Sequence, residues 1–201
     1  MEQIEVHTAS TAEVDRIAAM LARAFDDDPV MRFMIAPRRR ELYTRRFFAW
    51  QLRRLLSGEQ VHVAGDALGA AIWALPHNWR ESPGEGLRLA VSMFPAIATH
   101  LPRVGASIAM LERKHPREPH MYLGVLGTEP SAQGRGVGSA AISAGLAFAD
   151  AEGLPAYLES SKERNLDFYA RFGFRVLEEL PLPGGGPPIW PMWREPARAL
   201  R

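Results

Sequence analysis

Met121-Tyr-Leu-Gly-Val-Leu-Gly-Thr-Glu-Pro-Ser-Ala-Gln-Gly-Arg-Gly-Val-Gly-Ser-Ala140 is the stretch that decides the fold. It reads as a strand, a short turn and the start of a helix. Gly134, Gly136 and Gly138 alternate through the turn, so a ligand can come close to the backbone there. Free N–H groups at a helix start attract an anion, and the helix dipole adds to the attraction. Arg135 supplies a positive side chain at the same place. A phosphate or pyrophosphate cradle is therefore expected. A dinucleotide fingerprint would need glycine where Ser139 stands, and a Walker loop would need a lysine that is absent. The pattern that remains is Q-x-x-G-x-G, from Gln133 to Gly138, after a strand and before a helix.

Outward from this stretch, composition sets limits. The chain has 201 residues, of which 47% are hydrophobic and 23% charged, which is enough for one domain with a substantial core. A net charge of +1 gives no reason to expect a polyanionic partner, and no basic–aromatic array suggests nucleic acid. Cysteine is absent, which excludes disulfides, thiolate metal sites and a cysteine acyl-enzyme. The start MEQIEVHTAS lacks a signal pattern, and no uncharged apolar run reaches about 18 residues. A cytoplasmic location without membrane contact is expected.

In chain order, Ile4 to Thr8 alternates as a strand, and Ser10 to Glu13 forms a capping box for a helix reaching about Phe25. Asp26-Asp-Asp-Pro29 ends that helix. Asp28 fits a cap with Pro29 at the first helical position. The acids also suit a cationic amine, so Asp26 and Asp27 are candidate acceptor-binding residues. Helices are expected over 30–35 and 38–56, and a hairpin over 60–76, with Trp73 in its second strand as a candidate acceptor-binding residue that suits an apolar or aromatic acceptor. His77 and Trp79 follow, either lining an acceptor pocket or closing the core. Residues 84–111 read as helical with an interruption near Pro102, and Met93, Phe94, Ile97 and Leu101 read as a core stripe. His115 and His120 are not at helical metal-pair spacing, and no metal is expected. After the cradle come a small-residue helix over 138–151, a strand ending at Glu159, a short helix from Asn165 stopped by Gly173, a strand over 174–180 and a last strand over 189–194. Pro191 suggests an edge or a bulge in that last strand.

The second informative stretch is Leu158-Glu-Ser-Ser-Lys-Glu-Arg-Asn-Leu-Asp-Phe-Tyr-Ala-Arg-Phe-Gly-Phe174. With the cradle it resembles the GCN5-related N-acetyltransferase (GNAT) superfamily, on Asn165, Phe168, Tyr169, Gly173 and Phe174. The Asp-Asp-Pro segment, Ala71-Ile-Trp-Ala-Leu-Pro76 and Leu158-Glu-Ser-Ser161 look similar to puromycin N-acetyltransferase and its relatives. The resemblance implies an α+β three-layer fold: a central mixed, splayed sheet flanked by helices, spanning residues 1–201 as one domain. Its cofactor half would be about 118–201, and acceptor-binding elements would lie mostly in 20–118.

It further implies acetyl-CoA as cosubstrate and a small-molecule primary amine as acceptor, with direct attack in a ternary complex. Gln133, Gly134, Arg135, Gly136, Val137, Gly138 and Ser139 would hold the pyrophosphate. Leu126, Gly127 and Thr128 would hold the pantetheine and polarise the carbonyl. Asn165 would bond the cofactor arm, or simply cap its helix. Tyr169 is the candidate general acid, since a phenol of pKa about 10 can serve a thiolate whose acid lies at about 8.5. It also fits an apolar helix face. Glu159 is the candidate base, or a structural acid, with Asp26, Asp27 and His77 as rivals. A peptide or protein amine as acceptor, or a non-catalytic acyl-CoA sensor, stays open. So does the choice between monomer and homodimer.

Overall fold

In the computed structural model, which describes residues 4–58, 60–76 and 78–197, local signals build most elements where the sequence places them. Strand β1 (Val6–Thr8) leads to Ser10, whose N–H and hydroxyl both donate to the Glu13 carboxylate, at 2.9 and 2.8 Å. This box starts helix α1 (Val14–Ala24), which buries Ile17, Ala18 and Leu21. Asp28 accepts from the Met31 N–H at 2.9 Å and so caps α2 (Pro29–Met34). Helix α3 (Arg40–Leu55) buries Tyr43, Phe48 and Leu52. Strands β2 (Val61–Ala64) and β3 (Gly69–Ala74) form the expected antiparallel hairpin.

Helices α4 (Pro83–Ile97) and α5 (Leu101–Lys114) follow, separated by a single tight turn. Here one expectation needs correction. Met93 and Ile97 are core, but Phe94 is 54% exposed and Leu101 48%. Successive helical residues point about 100° apart. Phe94 therefore joins Leu87 and Val91 on the outward face instead of the stripe set by Met93 and Ile97.

The second half runs β4 (Met121–Thr128), α6 (Val137–Ala151), β5 (Ala156–Ser160), α7 (Leu166–Ala170), β6 (Arg175–Val176), β7 (Leu180–Pro181) and β8 (Pro188–Arg194). The strand expected over 174–180 is thus broken into two short pieces, and β8 is an interior strand, paired with β5 on one side and with β6 and β7 on the other. Pro191 explains the break. Its carbonyl accepts from Leu177 N–H at 2.9 Å, but it has no N–H to return, and the β6 ladder stops there.

Among the described residues the strands form one mixed sheet in the order β1-β2-β3-β4-β5-β8-β6. Side chains alternate across it. Val63, Ile72 and Val125 pack toward α1 and α3, while Trp73, Leu158 and Met192 pack toward α6 and α7. The result is a three-layer α+β fold.

Two irregularities of β4 shape the site. Ile72 pairs with Val125 but Trp73 pairs with Leu123, so Gly124 is left over as a bulge. On the other side, β4 and β5 pair in parallel at Met121–Ala156 and Tyr122–Tyr157, and then diverge. Beyond that point β4 stays bonded to β3, and β5 to β8. A V-shaped opening is left in the middle of the sheet.

Candidate active site

The V opens into a cleft of about 510 Å³. Leu126, Gly127 and Thr128 form one wall along β4. Gln133, Gly134, Gly136, Val137, Gly138 and Ser139 form its floor at the start of α6. Glu159, Asn165 and Tyr169 come from the β5–α7 side. Gly134 and Gly136 have φ of +75° and +86°, the left-handed region. A Cβ at either would find space, so conformation and not crowding calls for glycine there. Each of these turns the chain so that the first N–H groups of α6 face the cleft.

Arg135 is exposed and does not line the cleft. The cationic side chains that do are Lys162, Arg164 and Arg171, which sequence reasoning passed over. No motif marks them; they follow from the way β5 runs into α7. Lys162 and Arg164 both bond Asp27, the latter at 2.5 Å. Burial pushes the Asp27 carboxyl up, but these two cations outweigh it and hold the group below its ordinary range. Asp27 thus ties the end of α1 to the loop after β5, and Asp26 turns toward Arg32; neither lines the cleft. The third acid of the run, Asp28, does. It is 1% exposed and accepts from the Ser161 hydroxyl as well as from Met31. Its helix-capping role was legible in the sequence, its place in the cleft was not.

Tyr169 is buried and lines this cleft. Burial, and then the negative charge of Asp28, push its hydroxyl well above the ordinary tyrosine value. The phenol stays protonated and available as a donor.

A second cavity of about 150 Å³ adjoins the first. Trp79, Arg80 and Glu81 contribute from the loop after β3, Gln51 and Arg54 from α3, and Glu112 and His115 from α5 and its end. Tyr122 and Glu159 close it from the sheet. The two cavities share Gly124, Val125 and Glu159. Glu159, with a side chain 11% exposed, stands at the junction. Burial first, and its negative charge second, push the hydroxyls of Tyr122 and Tyr157 well above their ordinary range. Burial also raises the Glu81 carboxyl, against the pull of Arg54.

Trp73 does not reach this cavity. It is 1% exposed, and a Cβ on Gly145 of α6 would stand 2.1 Å from its indole nitrogen, so the ring is clamped between sheet and helix. Trp79 does line the cavity, and His77 lies outside the described residues. Among the described residues no group of three or more His, Cys, Asp or Glu could hold a metal ion, and no helix is long and apolar enough to cross a membrane.

Residues 96–174, which take in α5, β4, the cradle, β5 and α7, match the model of the Acetyltransferase (GNAT) family. An uncharacterized N-acetyltransferase of Schizosaccharomyces pombe is 29% identical over 180 residues, covering 79% of this chain and 69% of its own length. A crystal structure from Corynebacterium glutamicum, described as histone acetyltransferase HPA2 and related acetyltransferase, is 28% identical. It superposes with a TM-score of 0.73 over 98% of this chain and 99% of that one. A polyamine N-acetyltransferase of Drosophila melanogaster shares the fold, with a TM-score of 0.66 at 13% identity over 96% of this chain and all (100%) of its own. The family match, the Schizosaccharomyces pombe relative and the Corynebacterium glutamicum structure together support membership of the GNAT superfamily of acetyltransferases.

Proposed function

We propose that this acetyltransferase moves the acetyl group of acetyl-CoA to the primary amine of a small molecule, by direct attack in a ternary complex. One observation carries the reading: the two cavities are distinct and meet at Gly124, Val125 and Glu159. The larger suits an extended thioester with a phosphate tail, and the smaller suits a compact acceptor. Gly134 to Ser139 hold the pyrophosphate on the N–H groups of α6, with Lys162 and Arg171 as nearby positive charge. Leu126, Gly127 and Thr128 line the pantetheine arm, and Asn165 faces it from α7. Backbone N–H groups freed by the divergence of β4 stabilise the carbonyl oxygen as it becomes an oxyanion.

Glu159 draws the acceptor, which arrives as an ammonium ion, to the junction. Tyr169 faces the departing sulfur. Its raised pKa makes complete proton transfer to a thiolate uphill, so its hydroxyl acts first as a hydrogen-bond donor to the sulfur. The absence of cysteine supports direct attack over a cysteine acyl-enzyme. Two proteins that share the fold are described as agmatine and polyamine acetyltransferases, which fits a small amine acceptor. The small volume of the second cavity favours this over a peptide or protein amine.

The test is thiol release from acetyl-CoA against alkylamines, arylalkylamines, diamines and peptide N-termini, with calorimetric binding of acetyl-CoA alongside. Turnover with a small amine and little with peptides is expected. Binding without turnover of any amine would point to an acyl-CoA sensor, and preference for peptides would overturn the acceptor class.

A further inference from the structure

His115 and His120 lie outside every sequence motif, yet the fold buries both, His115 at the wall of the acceptor cavity and His120 behind it. Their hydrogen bonds fix where the protons sit. The Glu118 carbonyl oxygen can only accept, and it lies 2.6 Å from His120 Nδ1, so that nitrogen carries the hydrogen. Burial keeps His120 from gaining a second proton, against the opposing pull of the Glu118 carbonyl. Its Nε2 is therefore a lone pair, 3.0 Å from His115 Nε2. The hydrogen between these two nitrogens belongs to His115. In the neutral ring, His115 Nδ1 is then also a lone pair, and it stands 3.7 Å from Glu159 Oε1. Two acceptors face each other at the junction of the cavities with no hydrogen of their own between them. An ammonium N–H from the acceptor satisfies both.

We propose that His115 Nδ1 takes the proton from the acceptor amine, that Glu159 holds the ammonium against it, and that His120 with the Glu118 carbonyl fixes the required tautomer. This rests on the amine acetyltransferase reading above. The ammonium gives one proton to His115 Nδ1. The freed nitrogen lone pair forms the C–N bond to the thioester carbonyl, and the C–S electron pair leaves with sulfur. The second proton on nitrogen, acidified by the new bond, ends on sulfur beside the Tyr169 hydroxyl. The imidazolium returns its proton to water once the acetylated product has left. One acetyl-CoA and one ammonium thus become an amide, a thiol and one released proton.

The surroundings suit an imidazolium that forms and vanishes. Trp79 stacks on the His115 ring with centroids 3.5 Å apart and planes at 20°, a cation–π partner for the charged form. Tyr122 on β4 and Tyr157 on β5 meet the ring edge-on, each at 4.9 Å, and both stay neutral. The charges facing it are Glu159 from β5, Glu112 from α5, Arg54 from α3, and Arg80 and Glu81 from the loop after β3. His115 is a catalytic residue in this scheme, and His120 a positioning residue.

The experiment compares two acceptors: a strongly basic alkylamine, and a weakly basic amine already neutral at the assay pH. His115→Gln lowers kcat for the alkylamine by about 10²–10³-fold, and that for the weakly basic amine by less than about threefold, with acetyl-CoA affinity unchanged. His120→Gln gives a loss of about tenfold with the same selectivity and moves the acid limb of the kcat–pH profile. The wild type alone tests the idea should a variant fail to fold. Its kcat for the alkylamine has an acid limb that is missing with the weakly basic amine. In ¹⁵N spectra of histidine-labelled protein, His120 carries its hydrogen on Nδ1 and His115 on Nε2. Equal losses with both amines, no loss, or the opposite tautomers would overturn the proposal while leaving the acetyltransferase reading intact. Wild-type protein that turns over neither amine would sink both.

Discussion

At the residue scale, Tyr169 carries the sharpest consequence. Its hydroxyl is buried, raised by that burial and by the charge of Asp28, and its ring lines the cleft. Tyr169→Phe removes one oxygen and keeps the ring, so packing against Phe168 and Phe174 survives. We expect kcat to fall about 10- to 100-fold, with acetyl-CoA affinity within about twofold by calorimetry. An unchanged kcat would remove the tyrosine from the proton path. Tyr169 and Glu159 were legible because each belongs to a motif with fixed spacing from a strand end. Asp28 was legible only as a cap, since what brings it to the cleft is the closure of α2 against Ser161, a contact 133 residues away in sequence. His115 and His120 were legible only as residues without metal spacing. Their pairing depends on the loop between α5 and β4 folding back on itself, which local pattern does not encode.

At the scale of elements, two glycines, Gly136 just before α6 and Gly145 within it, separate binding from stability. Gly136 sits at φ +86° with room for a side chain, so an alanine there strains the backbone without a clash. Gly136→Ala should cost about 1–2 kcal/mol or force the cradle to relax, and in either case weaken acetyl-CoA binding in calorimetry. Gly145 lies mid-helix, where alanine is normally favoured by about 1 kcal/mol. Here its Cβ would stand 2.1 Å from the indole of Trp73, inside the core. Gly145→Ala should therefore destabilise by about 1–3 kcal/mol in urea unfolding, while leaving cradle geometry and cofactor affinity near wild type. Both glycines are visible in the sequence, and only the Gly136 role follows from it. Trp73 reads there as a candidate acceptor-binding residue because an aromatic side chain suits an apolar acceptor. The close fit of α6 shows why it is not. The break between β6 and β7 has a similar origin: Pro191 on the neighbouring strand, not the composition of 174–180, ends that ladder.

At the scale of the whole molecule, protonation links the site to stability. Tyr157 and Tyr169 are buried and Tyr122 is partly so, and burial is the first cause that raises each of them. In the unfolded chain a tyrosine ionises near about pH 10, whereas these stay protonated in the folded protein. A group whose folded pKa is raised gives stability that is complete below the unfolded pKa and is lost as pH rises past it. Each such tyrosine contributes a slope of about 1.4 kcal/mol per pH unit, so above about pH 10 the three together give about 4 kcal/mol per unit. On the acid side the sign reverses. His62 and His120 are lowered by burial, so stability falls as pH drops below about 6.5, where the unfolded histidines take up protons. Asp150 adds to that loss at lower pH, because bonds from Arg194 at 2.7 and 2.8 Å hold its carboxyl below the ordinary range and tie α6 to β8. Urea midpoints measured across pH should therefore show a plateau with a steep alkaline edge and a gentler acid one. Tyr157→Phe serves as the discriminating variant, because Tyr157 sits on β5 beside Glu159 at the foot of the divergence. It should flatten the alkaline edge by about a third and leave the acid edge in place. An alkaline edge of unchanged slope would mean that Tyr157 ionises in the folded protein, and so that burial, with the carboxylate at the junction of the two cavities, does not keep this phenol neutral.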